Sequence, residues 1–253
     1  MFDSYADIFS ERAGLYHRAM AAFPLARRSE FEAMVSPLAG RDSGSLCDLP
    51  SGGGYLSPYL PAGWRYTAVE PTDAFAELCR LEPGQDLVRS PLTAVPRPDA
   101  SFDAVISLAG LHHEHDKLAI MREAARLLRP GGVAVIADVA AGSNEDAFLN
   151  GFVDANSQMG HHGEFLDEQF ARDVEAAGFE ISGDALVATP WRFDSRADAA
   201  AFATDLFGVS AGPQEVERAL AATVGLEDRD DGVAVTWHLR RLVCTLSSEE
   251  ADE

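Results

Sequence analysis

The chain has 253 residues, is 47% hydrophobic and carries a formal charge of −21, with 41 acidic against 20 basic side chains. That length suffices for one large α/β domain, and the acid excess argues against nucleic acid as a partner, because phosphates are neutralised by Lys and Arg and the pairs Arg27-Arg28 and Arg240-Arg241 stand isolated. No apolar run approaches the roughly 20 residues of a membrane span, the N-terminus lacks the pattern of a signal peptide, and Cys47, Cys79 and Cys244 suggest neither disulfides nor zinc, so a cytoplasmic protein without membrane insertion is expected.

Residues 1–40 read as helices, with Tyr5, Ile8 and Phe9 on one face, a break at Pro24 and a second helix over 27–38. Ser45-Leu46-Cys47-Asp48-Leu49 is a buried strand stopped by the glycine cluster Ser51-Gly52-Gly53-Gly54. A second strand follows at Arg65–Glu70, then a helix over Thr72–Leu81 that Thr72 or Asp73 can cap. Asp86–Arg89 is a third strand, leading into a proline-rich loop, and Phe102–Leu108 a fourth. Lys117–Leu128 is an amphipathic helix ended by Arg129-Pro130-Gly131-Gly132, and Val133–Val139 is a fifth strand. Such alternation implies βαβ crossovers and a mostly parallel sheet.

Beyond Ala140 the pattern loosens. Residues 141–165 suggest a mobile cap, followed by a helix over Leu166–Ala177 and strand at Phe179–Ile181 and Leu186–Thr189. Helices are expected at Ser195–Phe207 and Pro213–Val224, and Val233–Leu246 alternates as one long last strand. The expected organisation is a single domain: N-terminal helices 1–40, a binding core 45–140, cap and sheet completion 141–246, and an acidic tail 247–253 whose Glu249–Glu253 run is expected to be disordered.

In an open parallel sheet, ligands bind at the carboxyl ends of the strands. The Asp48–Gly54 turn lies at one such end, where glycines let a ligand approach the backbone. Glu70 ends the next strand 22 residues after Asp48, the place from which an acid accepts both hydroxyls of a ribose. No Gly-x-Gly-x-x-Gly is present, which weakens a nicotinamide-dinucleotide reading.

The stretch Ser45–Ala140 resembles the core of class I S-adenosylmethionine-dependent methyltransferases, of the small-molecule, ubiquinone-biosynthesis-like group (methyltransferase type 11). The matching segments are the turn 48–54, Glu70, Pro98-Asp99-Ala100-Ser101-Phe102-Asp103-Ala104-Val105, Leu111-His112-His113 and Leu127-Leu128-Arg129-Pro130-Gly131-Gly132. The resemblance implies a Rossmann-like, doubly wound, seven-stranded and mostly parallel sheet with helices on both faces and an N-terminal helical cap. It implies S-adenosyl-L-methionine as cofactor, with Asp48, Pro50, Gly52 and Gly54 at its methionine end, Glu70 and Pro71 at the ribose, Ser90, Pro91 and Leu92 at the adenine, Ser107 and Leu108 at the sulfonium, and Tyr16 closing over the carboxylate. Pro50 stands where the family has its first turn glycine, and Ser90 where it more often has Asp.

Methyl transfer to oxygen or nitrogen needs an aligned nucleophile and a base. His112 and His113 are the candidates for the base, and His161 and His162, in the expected cap, for substrate contact. These histidines, His115, Glu114 and Asp116 could also ligate zinc or iron; adjacent histidines usually point apart, however, so no metal is assigned. The expected partner is a small molecule, and a homodimer is compatible with the reading. The alternatives are a non-methylating reaction on the same fold and cofactor, or a non-catalytic binding or regulatory protein.

Overall fold

The computed structural model describes residues 5–79 and 81–247; Met1–Ser4 and the Glu249–Glu253 run lie outside them. Two N-terminal helices, α1 (Tyr5–Ala22) and α2 (Arg28–Val35), precede β1 (Gly44–Asp48), β2 (Trp64–Glu70), α3 (Asp73–Leu78), β3 (Asp86–Arg89), β4 (Phe102–Leu108), α4 (Lys117–Leu127) and β5 (Leu128–Asp138). The short helices α5 (Asn144–Ala147) and α6 (Asp154–Asn156) flank a π-helical turn, Phe148–Val153; α7 (Glu168–Ala176), β6 (Phe179–Ala188), β7 (Trp191–Phe193), α8 (Arg196–Phe207), α9 (Pro213–Thr223), β8 (Leu226–Arg229), β9 (Gly232–Val235) and β10 (His238–Leu246) complete the chain.

Seven strands form one sheet in the order β3-β2-β1-β4-β5-β10-β6. The first five pair in parallel, and β10 runs antiparallel to both neighbours. This is the Rossmann-like doubly wound sheet expected from the sequence. Strand order reverses between β1 and β4, so their carboxyl ends open a crevice there. Alternation explains both layers: Leu46, Ala104, Ile106, Val133 and Val135 face one core with Met20, Phe31 and Phe202. Their neighbours Cys47, Val105, Ala134 and Ile136 face the other, with Ile120, Leu127, Phe170 and Val174 from α4 and α7. Side chains cap the helices as their sequences suggest: Thr72 receives Phe75 N–H on α3, Asp116 receives Ala119 N–H on α4, and Asp167 receives Phe170 N–H on α7. Among the described residues no helix is long and apolar enough to cross a membrane.

Three expectations change. The Val233–Leu246 run is two strands: β9 leaves the main sheet and pairs between β7 and β8 in a separate three-stranded sheet, and only β10 closes the large one. Continuous alternation hides the corner at Thr236-Trp237, where buried Trp237 stacks on Trp191 at 4.2 Å. Phe179–Ala188 is one continuous strand rather than two. The 141–165 segment is no loose cap, because Phe148, Leu149, Val153 and Phe165 are buried in the main core.

The β8–β9 hairpin carries a steric requirement. Gly232 has φ +136°, and a Cβ there would lie 2.2 Å from the Phe193 carbonyl oxygen. Gly232→Ala should therefore destabilise the protein by about 2–4 kcal/mol, a fall in Tm of roughly 5–15 °C on thermal unfolding. An unchanged Tm would mean that the small sheet is not held as described.

Candidate active site

The glycine turn leaves β1 and folds back over the end of β2. Gly52, Gly53 and Gly54 all have positive φ, and a Cβ on Gly54 would meet Cys79 Sγ at 2.9 Å. The Leu49–Pro50 peptide is cis, and Pro50 packs so closely on Gly110 that a Cβ there would meet Pro50 Cγ at 2.5 Å. The turn aims its polar groups at Glu70, which is fully buried. Ser51 Oγ donates to Glu70 Oε1 at 2.7 Å and Gly53 N–H at 3.0 Å, while the Tyr5 hydroxyl of α1 donates to Oε2 at 3.4 Å. Burial pushes the Glu70 carboxyl up to about 7 against these bonds. Asp48 is also buried, and burial raises it to about 8; the Tyr66 hydroxyl donates to it at 2.6 Å.

Beside this turn, Ser90 and Ser107 are buried, and among the described residues neither Oγ has a hydrogen-bond partner. Ser90 follows β3 and Ser107 lies near the end of β4, both at the carboxyl edge of the sheet. Buried hydroxyls are nearly always satisfied, so two orphans at one sheet edge mark a place for a ligand. An open groove of about 490 Å³ runs past Ser90 along Pro71, Pro91 and Leu92. Ala109, immediately after β4, sits at φ +50°, a conformation that residues other than glycine seldom adopt.

The histidines form a second centre. A 3₁₀ turn over Leu111–His113 follows β4, and its tight winding brings both His112 and His113 inward, with ring centroids 3.9 Å apart. His161 joins them at 5.4 Å from His112 and 5.3 Å from His113. All three are buried. His112 Nδ1 lies 2.7 Å from Asp138 Oδ1, and its backbone N–H donates to Oδ2 at 3.1 Å. Val139 N–H donates to the same carboxylate at 2.8 Å. His161 Nδ1 lies 3.1 Å from Asn150 Oδ1, which also receives Gly163 N–H at 2.8 Å. Burial, then the neighbouring imidazoles and Arg12, hold His113 and His161 well below the usual histidine range, so both are neutral at pH 7.

These rings line an inner cavity of about 60 Å³, together with Phe9, Arg12, Trp191, Phe207 and Trp237. One wall is a closed polar chain. Arg27 pairs with Glu30 and donates to the Tyr16 hydroxyl, and Trp191 Nε1–H donates to Glu30. Tyr16 itself stands edge-on to Phe75, with ring centroids 5.3 Å apart.

The structure thus gathers Asp48, Pro50, Gly52, Gly54, Glu70, Ser90 and Ser107 along neighbouring strand ends, and His112, His113 and His161 around one cavity. Leu92 is buried nearby and Leu108 half-buried. His162 does not join its neighbour: it is exposed and pairs with Asp154 at 3.4 Å, because successive residues of this extended segment face opposite ways. His115 is likewise exposed, against Glu164. The expectation that adjacent histidines diverge fails at His112-His113, where a 3₁₀ turn replaces extended chain. Ligating nitrogens of His112, His113 and His161 lie within 4.8 Å of one another, a spacing that a metal ion could use. Sequence reading misses Asp138, Asn150, Arg12 and Tyr5; only Asp138 leaves a signal, as the lone acid closing an apolar strand.

Residues 47–136 match the family model described as a methyltransferase domain. Among curated relatives, 44 residues are 52% identical to the 27-O-demethylrifamycin SV methyltransferase of Amycolatopsis mediterranei, covering 17% of this chain and 16% of that one. Over 143 residues the chain is 29% identical to the malonyl-[acyl-carrier protein] O-methyltransferase of Serratia marcescens, covering 56% of this chain and 54% of that one. The chain therefore spans about half, or less, of the length of these relatives. Among solved structures, the [4+2]-cyclase SpnF superposes with a TM-score of 0.61 at 18% identity, over 96% of this chain and 94% of that one, a likeness of fold.

Proposed function

We propose that this chain, whose residues 47–136 match a methyltransferase-domain model, is a class I S-adenosylmethionine-dependent enzyme that methylates a small molecule held in the histidine-lined cavity. The observation that carries the reading is the meeting of two centres at one sheet edge: a carboxylate ringed by a glycine turn, and an acid-oriented imidazole in the 3₁₀ turn after β4. The orphaned Ser90 and Ser107 hydroxyls fit the adenine and sulfonium ends of the cofactor. Glu70 fits the ribose, with the Tyr5 hydroxyl occupying one of its oxygens and α1 having to yield before ribose hydroxyls take that place.

The cofactor supplies a methyl group activated on a sulfonium. Asp138 accepts the Nδ1 proton of His112, so Nε2 would be free to take the acceptor's proton; with the cofactor bound, the acceptor's oxygen or nitrogen would receive the methyl as the sulfur–carbon bond breaks and S-adenosylhomocysteine leaves. The neutral His113 and His161 and the aromatic walls exclude water from the nucleophile. The same cavity without transfer, as in a cyclase or a regulatory protein, remains the alternative outcome of the test.

Calorimetry with S-adenosylhomocysteine should give micromolar binding, and absence of binding for both it and S-adenosylmethionine would sink the proposal. The pH dependence has a definite sign. Burial raises Glu70 to about 7, and ribose hydroxyls donate to the ionised form, so binding strengthens as pH rises through 7. From pH 6 to pH 8 the affinity should increase about tenfold. A flat profile would remove Glu70 from the ribose.

A further inference from the structure

We propose that the inner cavity is built for an acceptor that carries a carboxylate, received by the guanidinium of Arg12. This rests on the reading of the cavity as the acceptor site, and the observation behind it is a buried cation without a counter-ion.

Arg12 is 6% exposed. Its hydrogen bond goes to a neutral group: Nη2–H donates to the Leu206 carbonyl at 2.8 Å. Its Nε is buried without a partner, and the carbon of the guanidinium lies 5.8 Å from the Phe9 ring centre. Among the described residues no carboxylate pairs with it. Arg27, the other arginine of the cavity, is instead neutralised by Glu30 within the same wall. A guanidinium taken out of water with no opposite charge is strongly penalised, and burial lowers Arg12 to about 10. A fold that retains such a group in a cavity wall has a place ready for an anion.

Position sharpens the inference. Arg12 lines both the inner cavity and an open groove of about 480 Å³ between α1, the end of α8 and Ser157–Met159. The guanidinium therefore stands at the neck between solvent and the histidines, backed by Gly208, where an added Cβ would lie 3.5 Å from Nε. The charge pattern inside agrees. The rings of His113 and His161 are neutral, and among the described residues lining the cavity Arg12 is a charge without a counter-ion. A carboxylate at the neck would hold a short acceptor with its nucleophile inside, near His112. The same field disfavours a cation, including a metal ion, on the three imidazoles.

The experiment uses the full chain with S-adenosylhomocysteine present and small probes: formate, acetate and 4-hydroxybenzoate, each against its amide. The readouts are the shift in Tm and calorimetric affinity, in wild type, Arg12→Met and Arg12→Lys. At least one carboxylate should stabilise the wild type and bind about 10- to 100-fold more weakly to Arg12→Met, with Arg12→Lys between them and the amides inert throughout. Equal responses to acid and amide, or no response to any carboxylate, would overturn the proposal. An Arg12→Met loss for S-adenosylhomocysteine that spares 5′-methylthioadenosine, which lacks the amino-acid end, would also overturn it, by assigning Arg12 to the cofactor's carboxylate. Failure of S-adenosylhomocysteine to bind wild type would instead count against the methyltransferase reading, with the probe responses still measurable without it.

Discussion

Glu70→Ala should weaken S-adenosylhomocysteine binding by about 100-fold. Two ribose hydroxyls donating to a buried carboxylate are each worth about 1.5–3 kcal/mol, and the lower end for the pair, about 3 kcal/mol, is a factor of about 100 or slightly more. The arrangement around Glu70 makes this the most exposed point of the proposal. Its carboxylate already gathers Ser51, Gly53 and Tyr5, so the same oxygens that order the glycine turn also await the ligand. Glu70→Gln keeps the shape and one acceptor oxygen but cannot ionise. It should lose about tenfold in affinity and also abolish the rise between pH 6 and pH 8. That second readout separates a ribose anchor from a residue that merely shapes the turn, since a shape defect leaves the pH slope intact. Wild-type affinity in Glu70→Ala would place the cofactor elsewhere.

Closure over the site follows from α1. Tyr5, Phe9 and Phe75 make a cluster directly above the turn, with Tyr5 and Phe9 ring centres 4.5 Å apart and Phe9 and Phe75 at 4.8 Å. Tyr5 thereby occupies the place of a ligand hydroxyl at Glu70 Oε2. If the proposed ribose binds there, this helix end would have to move, and the measured affinity would be the difference between the two arrangements.

The sheet is legible in the sequence because burial on two faces writes itself as alternation, and the helices because their caps and apolar stripes are local. Glu70 and the glycine turn are legible for a related reason: a strand end and a spacing fix them. Arg12 and Asn150 are not, since their meaning depends on contacts made across long stretches of chain. Arg12 reads as an ordinary polar position of an amphipathic helix until Leu206, 194 residues away, closes over it. His161 and His162 look equivalent in sequence, and only the Asn150 clamp and the turn of the chain send one inward and one to solvent. The small sheet was hidden for the opposite reason: β9 and β10 share one alternating pattern, and a corner between two sheets leaves that pattern unbroken.

Asp138→Asn should reduce methyl transfer by about 10²–10⁴-fold while leaving S-adenosylhomocysteine affinity nearly unchanged and lowering Tm by only a few degrees. The carboxylate does three things from a fully buried position: it receives the backbone N–H groups of His112 and Val139, and it faces His112 Nδ1 at 2.7 Å. Asparagine has the same shape but one oxygen. His112 N–H bonds Oδ2, whereas Val139 N–H and His112 Nδ1 share Oδ1. If the amide oxygen keeps the Oδ2 place, the NH₂ takes the Oδ1 place, donates to Nδ1 and moves the imidazole proton to Nε2, leaving Val139 N–H without its acceptor. The ring then presents a proton where the acceptor must lose one, so the base is switched off at the cost of one backbone hydrogen bond. General-base catalysis contributes about 10²–10⁴-fold, which sets the size of the loss. His112→Ala should fall to a similar level, and the double variant should be scarcely worse than either, since the two residues act as a unit. The check is transfer of radiolabelled methyl to any acceptor that the wild type modifies, with kcat and KM separated. A loss confined to KM would make the pair a positioning device for the acceptor, and an unimpaired Asp138→Asn would remove His112 as the base.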